Sequence, residues 1–156
     1  MKKLLVLGIG NRLMMDDGIG IYIVEELQKI NINSDIQYIV GETDVYYCLQ
    51  QIEKASMTIV IDAAYLNKEP GSIGVLPLEQ ISQDLVSAIT VHDTHLLNYI
   101  GINGMKVKGM LIGIEPYKIN FGTSLSSVLE SKFLGICKDV KGIIEDCVKN
   151  KKASTQ

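Results

Sequence analysis

The sequence predicts one α/β domain of three layers, a mostly parallel five-stranded sheet with helices on both faces and one antiparallel edge strand. Three observations carry this prediction. Short apolar runs without polar alternation recur along the chain, as expected of strands buried on both faces. Segments whose apolar residues step by three and four separate those runs. The length of 156 residues and an apolar fraction of 47% suit one shared core.

In chain order, Lys3–Gly8 is a short apolar run ending in glycine and predicts a buried strand. Gly18–Ile30 carries Ile19, Ile23, Val24, Leu27 and Ile30 on one helical face. Ile36–Val40 reads as a strand and Val45–Glu53 as a short amphipathic helix. Met57–Ile61 is a second apolar run, leading directly into Asp62. Glu69-Pro70-Gly71 signals a turn, and Ile73–Leu78 follows as a strand. That turn is too short for a helical crossover, so this strand is expected to be antiparallel, at an edge. Asp93–Ile102 predicts a helix and Val107–Ile114 a strand stopped by Pro116. Apolar residues at 125, 129, 133, 136, 140, 143 and 147 describe one long helix over Leu125–Cys147, with Thr123 or Ser124 as its cap. Residues 1–148 form the expected domain, and 149–156 a polar, frayed tail. No internal repeat or low-complexity segment interrupts it.

Composition narrows the function. The net charge is −3 with both signs interspersed, which argues against a dedicated nucleic-acid binder. The opening Met1-Lys2-Lys3 with its apolar run imitates a signal peptide, but the run is short and polar residues follow at once, so a first strand is the better reading. No stretch approaches the roughly 18 apolar residues that span a bilayer. A cytoplasmic monomer is expected. Cys48, Cys137 and Cys147 form no C-x-x-C pair and read as free thiols.

Open α/β sheets place their sites beyond the carboxyl ends of the strands. That rule selects three places. The first is the loop Gly8-Ile9-Gly10-Asn11-Arg12-Leu13-Met14-Met15-Asp16-Asp17-Gly18-Ile19-Gly20. It begins like a dinucleotide fingerprint, but the third glycine would fall at Leu13, and two carboxylates occupy the helix start where a pyrophosphate needs bare N–H groups. Helix capping accounts for at least one of Asp16 and Asp17. The second place is Asp62 at a strand tip, equally readable as a turn former. The third is His92-Asp93-Thr94-His95, which holds both histidines of the chain three residues apart. Taken singly, each has an ordinary structural explanation. Together, two carboxylates and an imidazole from one sheet edge make a donor set suited to Zn, Ni, Mn or Fe(II). Three protein ligands leave positions open for water or substrate, so a divalent metal is able to occupy such a site. Without a metal the two carboxylates repel and one pKa rises. No Ser-His-Asp set or H-E-x-x-H pair is visible, which argues against serine-protease and zincin chemistry.

These residues resemble the hydrogenase maturation endopeptidases. The resemblance runs through G-x-G-N…D-D/E-x-x-G at Gly8–Gly20, the strand end Ile59-Val60-Ile61-Asp62-Ala63, Thr90-Val91-His92 with Leu96 and Leu97, and Gly113-Ile114-Glu115-Pro116. It covers nearly the whole chain in order. It implies a protease that removes a C-terminal extension from the large-subunit precursor of a nickel–iron hydrogenase after nickel insertion. It also implies that Asp17, Asp62 and His92 are the metal-contacting and catalytic positions, with nickel supplied by the precursor. His95 falls at a position that varies in the family. This sequence departs at Val40-Gly41-Glu42-Thr43, where relatives often carry Asp-Gly-Gly-Thr/Ser, and the departure bears on substrate identity. Two other readings stand beside this one: a non-catalytic metal-recognition or chaperone module of the same fold, and a related peptidase with a non-hydrogenase substrate.

Overall fold

A computed structural model describes residues 2–91, 95–103 and 105–154, without the side chain of His95. Five strands form one sheet: β1 (Leu4–Ile9), β2 (Ile36–Glu42), β3 (Met57–Ala63), β4 (Ile73–Pro77) and β5 (Gly109–Ile114), in the spatial order β2-β1-β3-β5-β4. The β1–β2, β1–β3 and β3–β5 pairs are parallel. As the short turn predicts, β4 is antiparallel to β5 and lies at the edge.

The alternation of side chains along each strand sorts the helices into two layers. Leu4 and Val6 of β1, Ile59 and Ile61 of β3, and Ile112 and Ile114 of β5 pack with α1 (Ile19–Ile30) and α5 (Ser127–Ser154). Leu5 and Leu7, Val60 and Leu111 point the other way, against α2 (Val45–Lys54), α3 (Gln83–Ile89) and α4 (His95–Asn103). Both faces are therefore covered, which is why the strands read as unbroken apolar runs. Full burial of each such Leu or Ile contributes roughly 1.5–3 kcal/mol.

The chain winds outward from the centre in two directions. From β1 it crosses through α1 to β2 on one side; β3 and β5 lie on the other. The switch point falls between the carboxyl ends of β1 and β3, the place where doubly wound sheets bind their ligands. Helix α1 approaches this point very closely. A Cβ on Gly20 would lie 2.1 Å from the Ile61 carbonyl oxygen, so only glycine lets the helix start rest on β3.

Several elements differ from the sequence reading. A 3-10 turn, Met15–Gly18, precedes α1. Strand β3 runs to Ala63, so Asp62 is a strand residue, paired in register with Gly113. The expected start of the fourth helix at Asp93 lies outside the described residues. Helix α3 has no counterpart in the apolar periodicity; its signal is Ser82, whose hydroxyl accepts from the Leu85 amide at 3.2 Å as an N-cap. The cap of α5 is Ser126, not Thr123 or Ser124: its Oγ accepts from the Leu129 amide at 3.2 Å. Helix α5 continues to Ser154, past the point where the polar tail was expected. Val148 still packs on the core, and Lys151 Nζ donates to Ser56 Oγ, so tertiary contacts hold the last turns. Among the described residues no helix is long and apolar enough to cross a membrane.

Gly20→Ala tests the close approach. Alanine gains helix propensity of roughly 0.5–1 kcal/mol over glycine, yet the backbone clash is expected to outweigh this and leave a net loss of about 1–3 kcal/mol. Urea unfolding should show a lower midpoint at an unchanged m-value.

Candidate active site

Adjacent carboxylates in the first loop face opposite tasks. Asp16 is fully buried and accepts four hydrogen bonds: Oδ1 from the Ser126 amide at 2.7 Å, and Oδ2 from the Ser126 hydroxyl at 2.7 Å, the Lys118 amide at 2.8 Å and the Tyr117 amide at 3.0 Å. It fastens the segment 117–126 and the cap of α5 to the loop after β1. The backbones reinforce this, with the Met15 amide on the Gly122 carbonyl at 3.2 Å and the Gly122 amide on the Leu13 carbonyl at 2.9 Å. Both oxygens of Asp16 are thus engaged in holding the structure.

Asp17 turns toward the sheet. It is 5% exposed, and its Oδ2 accepts from the Asn11 amide at 2.9 Å. The 3-10 turn that carries it folds back against Gly10, whose φ is +135°; a Cβ there would meet the Asp17 carbonyl oxygen at 2.0 Å. Gly10 is therefore required both by its backbone angle and by that contact. This explains the glycines of the loop without any phosphate.

Asp62 completes the pair. It shares the parity of Thr58 and Val60 on β3, so it faces the α2–α4 layer. It is 1% exposed. Its Oδ1 accepts from the Ala63 amide at 2.8 Å, while its Oδ2 has no hydrogen-bond partner among the described residues. Burial first, and the nearby Asp17 charge second, push its carboxyl well above the ordinary 3.8, against the opposing pull of the Ala63 amide. Buried, half-unsatisfied and facing a second acid, this group is costly to the fold, and perturbed groups of this kind gather at functional sites.

His92, the third candidate, lies outside the described residues, as does the side chain of His95. The chain next to it is fixed: Thr90 forms a bridge with Ala64, and the Tyr65 amide donates to the Ile89 carbonyl at 2.8 Å. This pairing lies two residues past Asp62 along the chain. Among the described residues no group of three His, Cys, Asp or Glu could hold a metal ion. The two carboxylates supply hard oxygen donors, and the unpartnered Asp62 Oδ2 fits a divalent cation or a proton.

Sequence reasoning missed two further contributions at this edge. Glu115 is buried, and its Oε1 accepts from the Lys68 amide at 2.7 Å and the Leu66 amide at 3.0 Å, holding the loop after β3 to the end of β5. Arg12 forms a bidentate pair with Glu25 at 2.9 and 3.0 Å and a bond from Nε to Glu42 Oε1 at 2.7 Å. Hydrogen bonds to Glu25, then Glu42, raise its already high pKa. Glu42 itself adopts a left-handed backbone, φ +51°. The charge pattern alone could have suggested an Arg12–Glu25 contact, but Glu42 joins it only through the winding of the sheet.

A family model of the HycI hydrogenase maturation proteases matches residues 21–149. The chain belongs to the hydrogenase maturation protease family. The matched residues include Asp62 and His92 and begin after Asp17. Among individual relatives, the hydrogenase expression/formation protein HupD of Thiocapsa roseopersicina is 28% identical over 137 residues, spanning 83% of this chain and 62% of that protein. A putative hydrogenase maturation protease of Methanocaldococcus jannaschii is 26% identical over 73% of this chain and 76% of its own length. The fold is similar to that of the hydrogenase maturating endopeptidase HybD from E. coli, with a TM-score of 0.74, 22% identity and 93% coverage of each chain. The hydrogenase 2 maturation peptidase from Thaumarchaeota archaeon SCGC_AB-539-E09 superimposes with a TM-score of 0.66 at 25% identity, over 92% of this chain and 99% of that one.

Two substitutions separate the neighbouring acids and the pair at the switch point. Asp16→Ala leaves four donors without their acceptor and is expected to cost about 3 kcal/mol or more, measured by urea denaturation. Asp62→Asn should do the reverse. Because the folded carboxyl binds its proton more tightly than the unfolded one, the stability it lends is complete below about 3.8 and is lost as pH rises through the raised folded value. In EDTA-treated protein, Asp62→Asn should therefore raise Tm at pH 7 by at least about 2 °C, the shift that 1 kcal/mol gives a domain of this size. The gain should vanish near pH 3.5. A variant no more stable than the parent at pH 7 would contradict the assigned burial.

Proposed function

We propose that this chain is an endopeptidase that removes the C-terminal extension of a nickel–iron hydrogenase large-subunit precursor once nickel has been inserted. In this reading Asp17, Asp62 and His92 contact the precursor's nickel. The observation that carries it is the pair of buried carboxylates across the switch point, one with an oxygen unpartnered among the described residues, in a chain of the hydrogenase maturation protease family. The enzyme acts as a cytoplasmic monomer on a protein substrate, with no nucleic acid or membrane involved.

The nickel belongs to the substrate. Contact with it aligns the scissile peptide beside the carboxylates, so binding energy is converted into orientation. The reaction adds the oxygen of a water to the peptide carbonyl carbon, breaks the C–N bond and delivers a proton to the departing amine. Asp62 Oδ2, without a hydrogen-bond partner among the described residues, is once ionised able to hold either the metal or that water's proton, and its raised pKa makes it a stronger base than an ordinary aspartate. Asp17 adds the second negative charge that favours a cation over a bare pair of acids.

Intact-mass measurement of a nickel-loaded precursor, before and after incubation, tests the reading. The parent protein should release one C-terminal peptide, and the nickel-free precursor should remain whole. Asp17→Asn, Asp62→Asn and His92→Ala should each lower the rate at least about 100-fold, the order of a lost transition-state contact, with far-UV circular dichroism retained. Stoichiometric binding without loss of mass would assign the chain to a non-catalytic recognition module. Wild-type rates in any one variant would remove that residue from the mechanism.

A further inference from the structure

The loop that leads from β1 to the turn carrying Asp17 is gripped at two points by a single residue at the end of β2, Glu42. Its backbone carbonyl accepts from the Gly10 amide at 3.1 Å, and its carboxylate accepts from Arg12 Nε at 2.7 Å. The residue between those two points is Asn11, whose amide donates to Asp17 Oδ2 at 2.9 Å. Asn11 Oδ1 meanwhile accepts from the Leu13 amide at 2.9 Å, an Asx turn that stiffens the same stretch. The other edge of the Arg12 guanidinium makes the bidentate pair with Glu25 of α1, and its carbon lies 5.9 Å from the centre of the Tyr22 ring. The Tyr22 hydroxyl in turn donates to the Thr123 carbonyl at 3.1 Å.

From this geometry we infer that Arg12 is a positioning residue for Asp17: with Glu42 and Glu25 it clamps both flanks of Asn11, so that the Asn11 amide holds the Asp17 carboxylate toward Asp62.

Two features separate this role from plain stabilisation. The ion pairs are open to solvent, with side chains of Arg12, Glu25 and Glu42 exposed by 36%, 39% and 53%, and pairs so exposed add little to stability. The network also holds Glu42 in a left-handed backbone that glycine would adopt without strain. A side chain kept at a strained position for a weakly stabilising pair makes better sense as geometry than as stability. A planar guanidinium with two acceptors fixes orientation in a way a lysine does not.

The consequence for catalysis rests on the proposed function; the clamp itself does not. Arg12→Met and Glu42→Met each remove one side of it, and Lys141→Met, which breaks the exposed Lys141–Glu145 pair on α5, serves as control. Amide hydrogen exchange at Asn11, followed by NMR, should accelerate at least tenfold in Arg12→Met and Glu42→Met and stay at the parental rate in Lys141→Met. Tm should move by less than about 2 °C in all three. With nickel-loaded precursor, kcat should fall about tenfold with KM within twofold, and the Arg12→Met/Glu42→Met double variant should be no slower than either single, because both act through one network. Unchanged Asn11 exchange overturns the clamp, and faster exchange with parental kcat overturns its role in positioning. Should Arg12→Met fail to fold, Glu42→Met decides alone. If the parent protein releases no peptide from the nickel-loaded precursor, the proposed function falls, while Asn11 exchange still judges the clamp.

Discussion

The approach of α1 to the centre of the sheet is the constraint on which this structure depends. Gly20 lets the first turn of the helix lie against the Ile61 carbonyl, and Gly10 lets the preceding turn fold onto itself. Any side chain at either position would push the 3-10 turn Met15–Gly18 away from β3. The two buried acids would then be separated, and the electrostatic coupling between them would be lost. A loop that resembles a nucleotide fingerprint uses its glycines for close packing, and its helix start presents carboxylates where a phosphate would need donors.

Asp16 and Asp17 show how environment divides labour between identical side chains. Four donors from segment 117–126 converge on Asp16 and turn it into a structural fastener. One residue later the turn has rotated, and Asp17 meets the Asn11 amide and the field of Asp62. Asp62 pays the larger cost, being desolvated at the end of a central strand with one oxygen unpartnered among the described residues. Such a group weakens the fold at neutral pH and is retained where chemistry needs it, the usual tension between stability and activity.

The departure at Glu42 acquires a physical meaning from its surroundings. At the position where the family resemblance leads one to expect glycine, this chain has a glutamate in a left-handed backbone, paired with an arginine from the neighbouring loop. Arg12 reaches Glu25 and Glu42 together only because β2 lies beside β1 in the sheet. The same adjacency sets the end of β2 at the rim of the candidate site, so the substitution adjusts the frame around Asp17 and leaves both carboxylates in place.

The sequence by itself determined the layer architecture, the antiparallel edge strand and the choice of the carboxyl edge, because apolar periodicity, turn length and winding rules are local or topological properties of the chain. It also singled out Asp62, since a carboxylate directly after Ile59-Val60-Ile61 is visible without coordinates. Tertiary structure alone decided which of two adjacent aspartates is structural, that Ser126 caps α5, and that Glu42 and Glu115 brace the loops of the site. The Asp16 anchor and the Glu42 and Glu115 braces depend on partners 30 to 110 residues away in sequence, and the donors that meet in space leave no spacing signal along the chain. Helix α3 went unread for a related reason: seven residues give too few turns for a periodicity, and its cap and packing against α4 define it instead.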